Sequence, residues 1–562
     1  MPKRCSFWKR TGIGYLSFLF LYRQRNEALA NGQEAQAFII SFPLCRQIAA
    51  TGSKSESGSV FFYLFFFLIP TFFINFAAVL KMVLSKSSSD ALLSKIRDGL
   101  AMTGSEKLNL IVALSMPSIL AQITSVLMFY IDASMVGSLG AEASASIGIV
   151  EPATWLFGSL VSACSMGFYV QAAHFIGAKD FAQARRVMQH GYIFGLVVAL
   201  ILMTVGIVIA SPLPRLLGGG ADIQSDATTY FLILSAAAPI HLIENLSSQM
   251  LKVSGDMRHP SVIAVAMCFA DVFFNFLFIF PTREITLFAL HIKVFGFGLG
   301  VAGAAIGTLL AYLFACVPLL YYAIFKSKIL AWRLSKGPFR WNAEYITSAV
   351  KLGAPMALQY LLMNGAQIVS TMIVAPLGNF AIAANSFAVT AESLCYMPGY
   401  GIGDAATTLV GQSVGARRKD ICKSFAHMTV VLGMIVMAFM GLLMYIFAPE
   451  MIGMLSPVPE IRALGTQVLR IEAFAEPFFA ASIVAYSVCI GAGDTAVPSF
   501  INLGSMWFVR LTLAAALAPV YGLPGVWFAM ATELTVRGIL FLIRLLRGKW
   551  MRKIEDPIKT TE

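Results

Sequence analysis

VSGDMRHPSV, residues 253–262, returns as GAGDTAVPSF, residues 491–500, and the two segments lie 238 positions apart. Sliding the chain along itself by that offset makes other landmarks coincide without a gap. Glu106 falls on Glu344, Pro117 on Pro355, Gly140 on Gly378, Gly177 and Ala178 on Gly415 and Ala416, and Pro239 on Pro477. Proline removes a backbone donor and glycine opens left-handed conformations, so a shared spacing of both means a shared order of helices and turns. After Pro260 the next landmarks coincide at an offset of 222, which sets Gly303 on Gly525 and gives the first copy a longer loop near residues 281–297.

Both copies are very apolar. Hydrophobic residues make up 58% of the chain and charged residues only 12%, about half the charged share of a soluble protein. Apolar runs long enough to cross a bilayer recur throughout, which excludes a soluble globular chain and implies an integral helical membrane protein. Two copies of one multi-helix unit are the sequence mark of a two-lobed transporter. The eight cysteines form no CxxC pair, so neither disulfides nor a metal site is expected. The net charge of +12 does not argue for nucleic acid, because the Lys and Arg residues sit in short loops between apolar runs.

Reading those runs between charged or Gly/Pro punctuation predicts an all-α membrane fold of twelve helices in two six-helix lobes related by the repeat. The expected spans are 108–132, 150–173, 188–212, 226–252, 260–281, 298–325, 346–372, 384–411, 426–449, 466–490, 498–520 and 524–547. The first lobe (helices 1–6) is expected over 108–325 and the second (helices 7–12) over 346–547, with a linker at 326–345 and a tail at 548–562. Basic residues crowd alternate loops, among them Lys179 with Arg185, Lys252 with Arg258, and Arg417 with Arg418. The positive-inside rule then puts both ends of the repeat, including the 82–107 segment, in the cytoplasm. Residues 1–81 do not fit this scheme. The apolar stretch 59–80 would place basic residues such as Lys3 and Arg4 on the wrong side, and it starts too far from Met1 for a signal peptide. The expectation is that translation starts at Met82 or Met102 and that the earlier residues come from a misassigned start.

The repeated segments resemble a known family. PSILAQITSVLMFYIDASMVGSLGAEASASIGI (117–149) is similar to helix 1 and the following loop of MATE transporters, the multidrug and toxic compound extrusion family. QAAHFIGAKDFAQARR (171–186) and LVGQSVGARRKDICKS (409–424) resemble that family's paired turns after helices 2 and 8. The opening pair resembles its G-D-x-x-x-P turns between helices 4 and 5 and between helices 10 and 11. The likeness spans roughly residues 95–550. It implies two six-helix lobes around a central cavity and export of drugs or other solutes in exchange for protons or sodium ions. No GxxxxGKS or GxxxxGKT phosphate loop occurs, so an ion gradient rather than ATP is the expected driving force.

Such coupling needs a titratable or ion-coordinating group inside the membrane, where a bare carboxylate is expensive. The first-lobe candidates are Asp132 at the end of helix 1, Glu244 and Asn245 in helix 4, Asp271 and Asn275 in helix 5, and Thr308 in helix 6. Asp271 and Asn275 are four apart and leave one helical face together. The resemblance implies an ion site built from an Asp on helix 1, an Asn/Asp pair on helix 5 and a Thr on helix 6. Asp132, Asp271, Asn275 and Thr308 match those places, but the helix 5 order is Asp-x-x-x-Asn instead of Asn-x-x-x-Asp. Under the repeat Asp132 falls on Ser370 and Asp271 on Val509, so the second lobe lacks a copy of this site. Its secondary candidates are Glu392, Glu472 and Glu476, with Glu533 on helix 12 and with Arg510 expected to neutralise one glutamate as a buried pair. Asp256 and Asp494 in the repeated turns are expected to cap the helices that follow.

The resulting expectation is a monomeric secondary active exporter in a bacterial cytoplasmic membrane, without organic cofactor. It would exchange drugs or amphipathic organic cations for H⁺ or Na⁺. A lipid-linked saccharide flippase of the same superfamily is the alternative. A membrane enzyme is not expected, since no HExxH or comparable constellation occurs.

Overall fold

In the computed structural model, residues 86–287, 290–335, 339–456 and 458–551 are described. The stretch 59–80, the start-site reading of residues 1–81 and the end of the 548–562 tail lie outside the described residues. The first lobe runs through α2 (Gly104–Gly137), α3 (Ala141–Gly177), α4 (Phe181–Ala210), α5 (Gln224–Ala236), α6 (Ala238–Val253), α7 (Arg258–Ile279) and α8 (Gly300–Tyr321), preceded by a short α1 (Lys86–Arg97). The second runs through α9 (Ala343–Val374), α10 (Asn379–Gly415), α11 (Lys419–Leu455), α12 (Pro459–Glu472), α13 (Glu476–Gly491), α14 (Ala496–Gly504) and α15 (Leu511–Arg547).

The repeat is a repeat of backbone geometry. The non-glycine residues with left-handed φ among those described are Lys179 (63°) and Arg417 (54°), which the 238-residue offset superposes. Each follows a helix whose end is closed the same way, by Asp180 N to Phe175 O at 2.9 Å and by Arg418 N to Ser413 O at 3.0 Å. This is the left-handed C-cap that satisfies carbonyls otherwise left without partners. Gly140 and Gly378, again superposed, carry φ of 125° and 94° at the turns before α3 and α10, a region closed to most side chains.

Where spans 226–252 and 466–490 are expected as single helices, the structure bends both. The α5–α6 pair turns by 47° and the α12–α13 pair by 59°. Pro239 and Pro477 lie in the first turn of α6 and α13, where a ring without an N–H is tolerated after a break but not across it. Among the described residues eight helices are long and apolar enough to cross a membrane, or ten if each bent pair is one span. Expected span 8 is fully helical as part of α10 but is not among those eight. Expected spans 11 and 12 form one run, Ala496–Arg547, broken at Gly522 (φ 62°, ψ −145°) and containing a π-helical turn at Ser505–Arg510.

The longer loop of the first copy is an antiparallel hairpin, β1 (Pro281–Leu287) and β2 (Leu290–Phe297), with Arg283 opposite Val294 and Ile285 opposite Ile292. The helix α1 falls in the 82–107 segment, where none was expected. Its Leu93 and Ile96 pack with Leu110 and Ile111 of the first lobe and with Leu409 and Phe425 of the second.

The lobes meet in a crossed, two-fold manner. The first-lobe helix α2 packs on α10 and α3 packs on α9, each contact being the repeat image of the other. Gly177 lies against the Gln412 carbonyl and Gly415 against the His174 carbonyl, so closely that a Cβ at either would collide with backbone. Residues 174 and 412 are themselves superposed by the offset, and the two glycines allow the helices to touch.

Candidate functional site

Deep in the first lobe, α7 and α8 approach through glycine. A Cβ at Gly303 would strike the Phe278 carbonyl, and one at Gly307 would overlap Asn275 Oδ1. That approach brings Thr308 of α8 beside α7, whose Asp271 and Asn275 face inward and are 0% and 1% exposed. Asn275 Nδ2 donates both to Asp271 Oδ2, at 3.0 Å, and to Asp132 Oδ1 on α2, at 2.9 Å. The Asp132 carboxylate and the Thr308 hydroxyl both lie close to the Asp271 carboxylate. Asp271 Oδ1 and Asn275 Oδ1 are buried and have no hydrogen-bond partner among the described residues. Two carboxylates held by one amide, with spare acceptor oxygens between them, can share one proton or wrap one small cation. Two bare charges at that separation in a dry interior would be far costlier.

Glu244 stands apart from this group. Its Oε2 lies 3.7 Å from His241 Nδ1 one turn back on α6. The His241 ring packs on Tyr312 of α8 with centroids 4.8 Å apart. Asn245 makes no hydrogen bond to any of these acids among the described residues.

The second lobe gathers its acids at the broken helix. Glu472 ends α12 and Glu476 begins α13, so both flank the 59° bend, and both are fully buried. Glu476 sits where the N-terminal end of a helix dipole favours negative charge. Glu392 of α10 and Glu533 of α15 are buried with them. Among the described residues the oxygens of Glu472 and Glu476 have no hydrogen-bond partner.

Among the described residues Arg510 makes no close ion pair with a glutamate, although its charge reaches Glu392 and Glu472. Arg510 ends the π-turn, its Nη2 meets Met530 Sδ at 2.7 Å, and its Nε has no hydrogen-bond partner among the described residues. The acid–base pair is made instead by Arg537, whose Nε lies 3.2 Å from Glu533 Oε1 one turn away on α15. Its guanidinium also covers the Phe479 ring at 5.5 Å. The Arg537–Glu533 approach is an ion pair without hydrogen-bond alignment, since both atoms remain unpaired by that measure.

Asp404 on α10 was not singled out by sequence and proves to be a junction between lobes. Its Oδ2 accepts from Lys252 Nζ at 2.8 Å and from Ser118 Oγ at 2.5 Å, both of the first lobe. Nearby, Gln412 Nε2 donates to Val253 O at 2.8 Å, and His174 Nε2 lies 2.8 Å from Gly491 O. The signal was available, since Asp404 is an acid inside an expected span, whereas Lys252 reads as an ordinary loop charge. The repeated-turn aspartates also differ. Asp256 Oδ1 accepts from His259 N at 3.2 Å, a capping contact, but Asp494 instead binds the Arg544 guanidinium of α15. Capping therefore describes only the first of the two turns.

The MatE family model matches this chain twice, over residues 117–277 and 355–515, again 238 residues apart. A probable multidrug resistance protein NorM of Thermotoga maritima is 25% identical over 449 residues, covering 79% of this chain and 93% of the relative. The NorM of Pseudomonas aeruginosa is 27% identical over 446 residues, 77% of this chain and 88% of that one. Among solved structures, the Vibrio cholerae MATE transporter VcmN superposes with a TM-score of 0.71 at 15% identity, over 84% of this chain and 100% of that one. A MOP superfamily transporter of Pyrococcus furiosus gives 0.71 at 19% identity, over 80% and 97%. These structural likenesses establish the shared fold.

Proposed function

The chain belongs to the MatE family of membrane transporters, and from that premise we propose that it exports drugs or organic cations in exchange for H⁺ or Na⁺. The observation that carries this reading is the Asn275 amide spanning Asp132 and Asp271 in the first lobe. A coupling ion entering there would replace the amide's bridging role and pull α2, α7 and α8 into a new arrangement. A proton would sit between the carboxylates. A sodium ion would take oxygens from Asp132, Asp271, Asn275 and Thr308. Rearrangement of that lobe would weaken cargo binding and release it as the lobes rock.

Direction follows from the basic loops, which we assign to the cytoplasm of a bacterial cell. The contacts through Asp404, Gln412 and His174 join the lobes toward that side. On this assignment these contacts would hold the cytoplasmic ends of the lobes together, and cargo would leave outward. The lipid-linked saccharide alternative fits less well, because the buried groups of both lobes are mostly acidic and would repel a pyrophosphate.

The test is efflux of a fluorescent cationic dye from proteoliposomes, with pH and Na⁺ gradients imposed separately. Export under one gradient that Asp132→Asn loses, while inserting and melting like the parent, is the expected result. Undiminished gradient-driven export by that variant would overturn the first-lobe site.

A further inference from the structure

On the outer side of the helices that bury the second acid group, α11, α12 and α15 leave a groove of 740 Å³, lined among others by Tyr445, Thr466, Gln467, Arg470, Phe474 and Phe528. Arg470 is the notable occupant. It is exposed, and no carboxylate pairs with it among the described residues. Its Nε donates to Tyr445 O at 3.3 Å, and the guanidinium lies over the Tyr445 ring at 5.3 Å. The two terminal nitrogens, which form the bidentate fork of an arginine, have no protein partner among the described residues. An arginine facing the bilayer in that condition is costly unless an anion meets it.

The groove changes character one helical turn below Arg470. Along the exposed face of α12 the residues run Glu460, Ala463, Gln467, Arg470 and then, past the end of the helix, Phe474. Phe474 is 74% exposed and Phe528 across the groove 57%. A strip that ends in Gln467 and Arg470, followed at once by open aromatic surface, repeats the sequence of a phospholipid from headgroup to acyl chain. A free soluble anion would match the guanidinium but leave the aromatic floor uncovered. A phosphodiester with a chain attached matches both. We propose that this groove binds one anionic phospholipid, its phosphate on the Arg470 fork and an acyl chain along Phe474 and Phe528.

The site would not be remote from the transport machinery. Arg470 and Glu472 stand two residues apart on opposite sides of α12, one facing the groove and one buried beside the 59° bend. A lipid seated on Arg470 would brace the outer segment of the broken helix, and so membrane composition would act on the acids behind it.

The experiment uses the full chain in nanodiscs, with Phe474→Trp as a reporter and the parent protein's fluorescence subtracted. Phosphatidylglycerol or phosphatidylcholine brominated in the acyl chains is supplied at equal mole fraction. The expected result is quenching of the added tryptophan about fivefold more effective by the anionic lipid, the worth of one basic residue at an anionic surface. Arg470→Gln in the reporter background should bring the two lipids level, and Arg470→Lys, which keeps the charge but not the fork, should keep only part of the preference. Equal quenching with Arg470 intact would mean bulk lipid only and would overturn the proposal. So would a preference that survives Arg470→Gln. Neither outcome depends on dye transport, so failure here is separable from failure of the exporter reading.

Discussion

In the first lobe, one asparagine holds two aspartates together. In the second, the position that repeats Asp271 is Val509, inside a π-turn, and the acids have moved to the break between α12 and α13. The scaffold around them is the same: left-handed Lys179 and Arg417, the first-turn prolines Pro239 and Pro477, and the crossed glycine contacts all recur. What recurs is what the backbone needs in order to turn, break or touch. What differs is buried charge, which no backbone rule constrains once the copies have separated. A symmetric shell can therefore carry asymmetric chemistry, with a small bridged carboxylate site on one side and a larger acid–guanidinium cluster on the other.

The sharpest way to break that comparison is to remove Arg537. Among the described residues, its contact with Glu533 is the one ion pair inside the acid cluster of the second lobe. Arg537→Met should cost about 3–5 kcal/mol, the usual loss when one partner of a buried pair is deleted. A fall in the unfolding midpoint of purified protein in detergent is the readout. Arg510→Met should cost less, since among the described residues that guanidinium makes no close ion pair and leans on the Met530 sulfur, acting on Glu392 and Glu472 only at longer range. Equal losses for the two variants would mean the cluster shares its charge more evenly than its geometry implies.

A second comparison exchanges the lobes' acids. Asp271→Asn should reduce gradient-driven dye export to the leak of empty liposomes while changing stability by only about 1 kcal/mol, because the new amide fills the same space and can donate a hydrogen bond. Glu472→Gln should leave export measurable and should not destabilise the protein, since among the described residues that carboxylate has no hydrogen-bond partner to lose. Reversal of the two phenotypes would move the coupling site to the second lobe.

Much of this was legible in the chain, and the gaps have physical causes. Prolines and glycines at fixed spacing gave the order of helices, and the i, i+4 spacing of Asp271 and Asn275 placed both on one face. The bends at Pro239 and Pro477 were missed as bends, since apolar runs average across a short break and say nothing about its angle. The hairpin β1–β2 alternates charged and apolar residues over too few positions to stand out from a loop. Helix α1 is short and polar, and its anchoring residues, Leu93 and Ile96, become core only when both lobes are present to receive them. Arg537 as the closer partner of a glutamate lay beyond sequence, because the π-turn shifts Arg510 off the ordinary helical register. Asp404 was passed over because its partners, Ser118 and Lys252, lie in the other copy.

The smallest expected effect tests the finest difference between the copies. Under the 222-residue offset that governs the region after the hairpin, Thr308 corresponds to Met530. In one lobe that position brings a hydroxyl to the Asp271 carboxylate, and in the other a thioether to the Arg510 guanidinium. Each supplies the polarity its neighbour calls for, an oxygen with a donor for the acid and a soft sulfur for the cation. If Thr308 serves only packing, Thr308→Val keeps its volume and export should be unchanged. If its oxygen helps hold the coupling ion, the same change removes one ligand worth about 1 kcal/mol, and the ion concentration giving half-maximal export should rise about fivefold with the maximal rate retained. Met530→Leu, the matching change in the second lobe, should leave that concentration where it was. A shift of equal size from Met530→Leu would mean that the two lobes share the coupling ion, and the asymmetry read from their buried charges would no longer describe how they work.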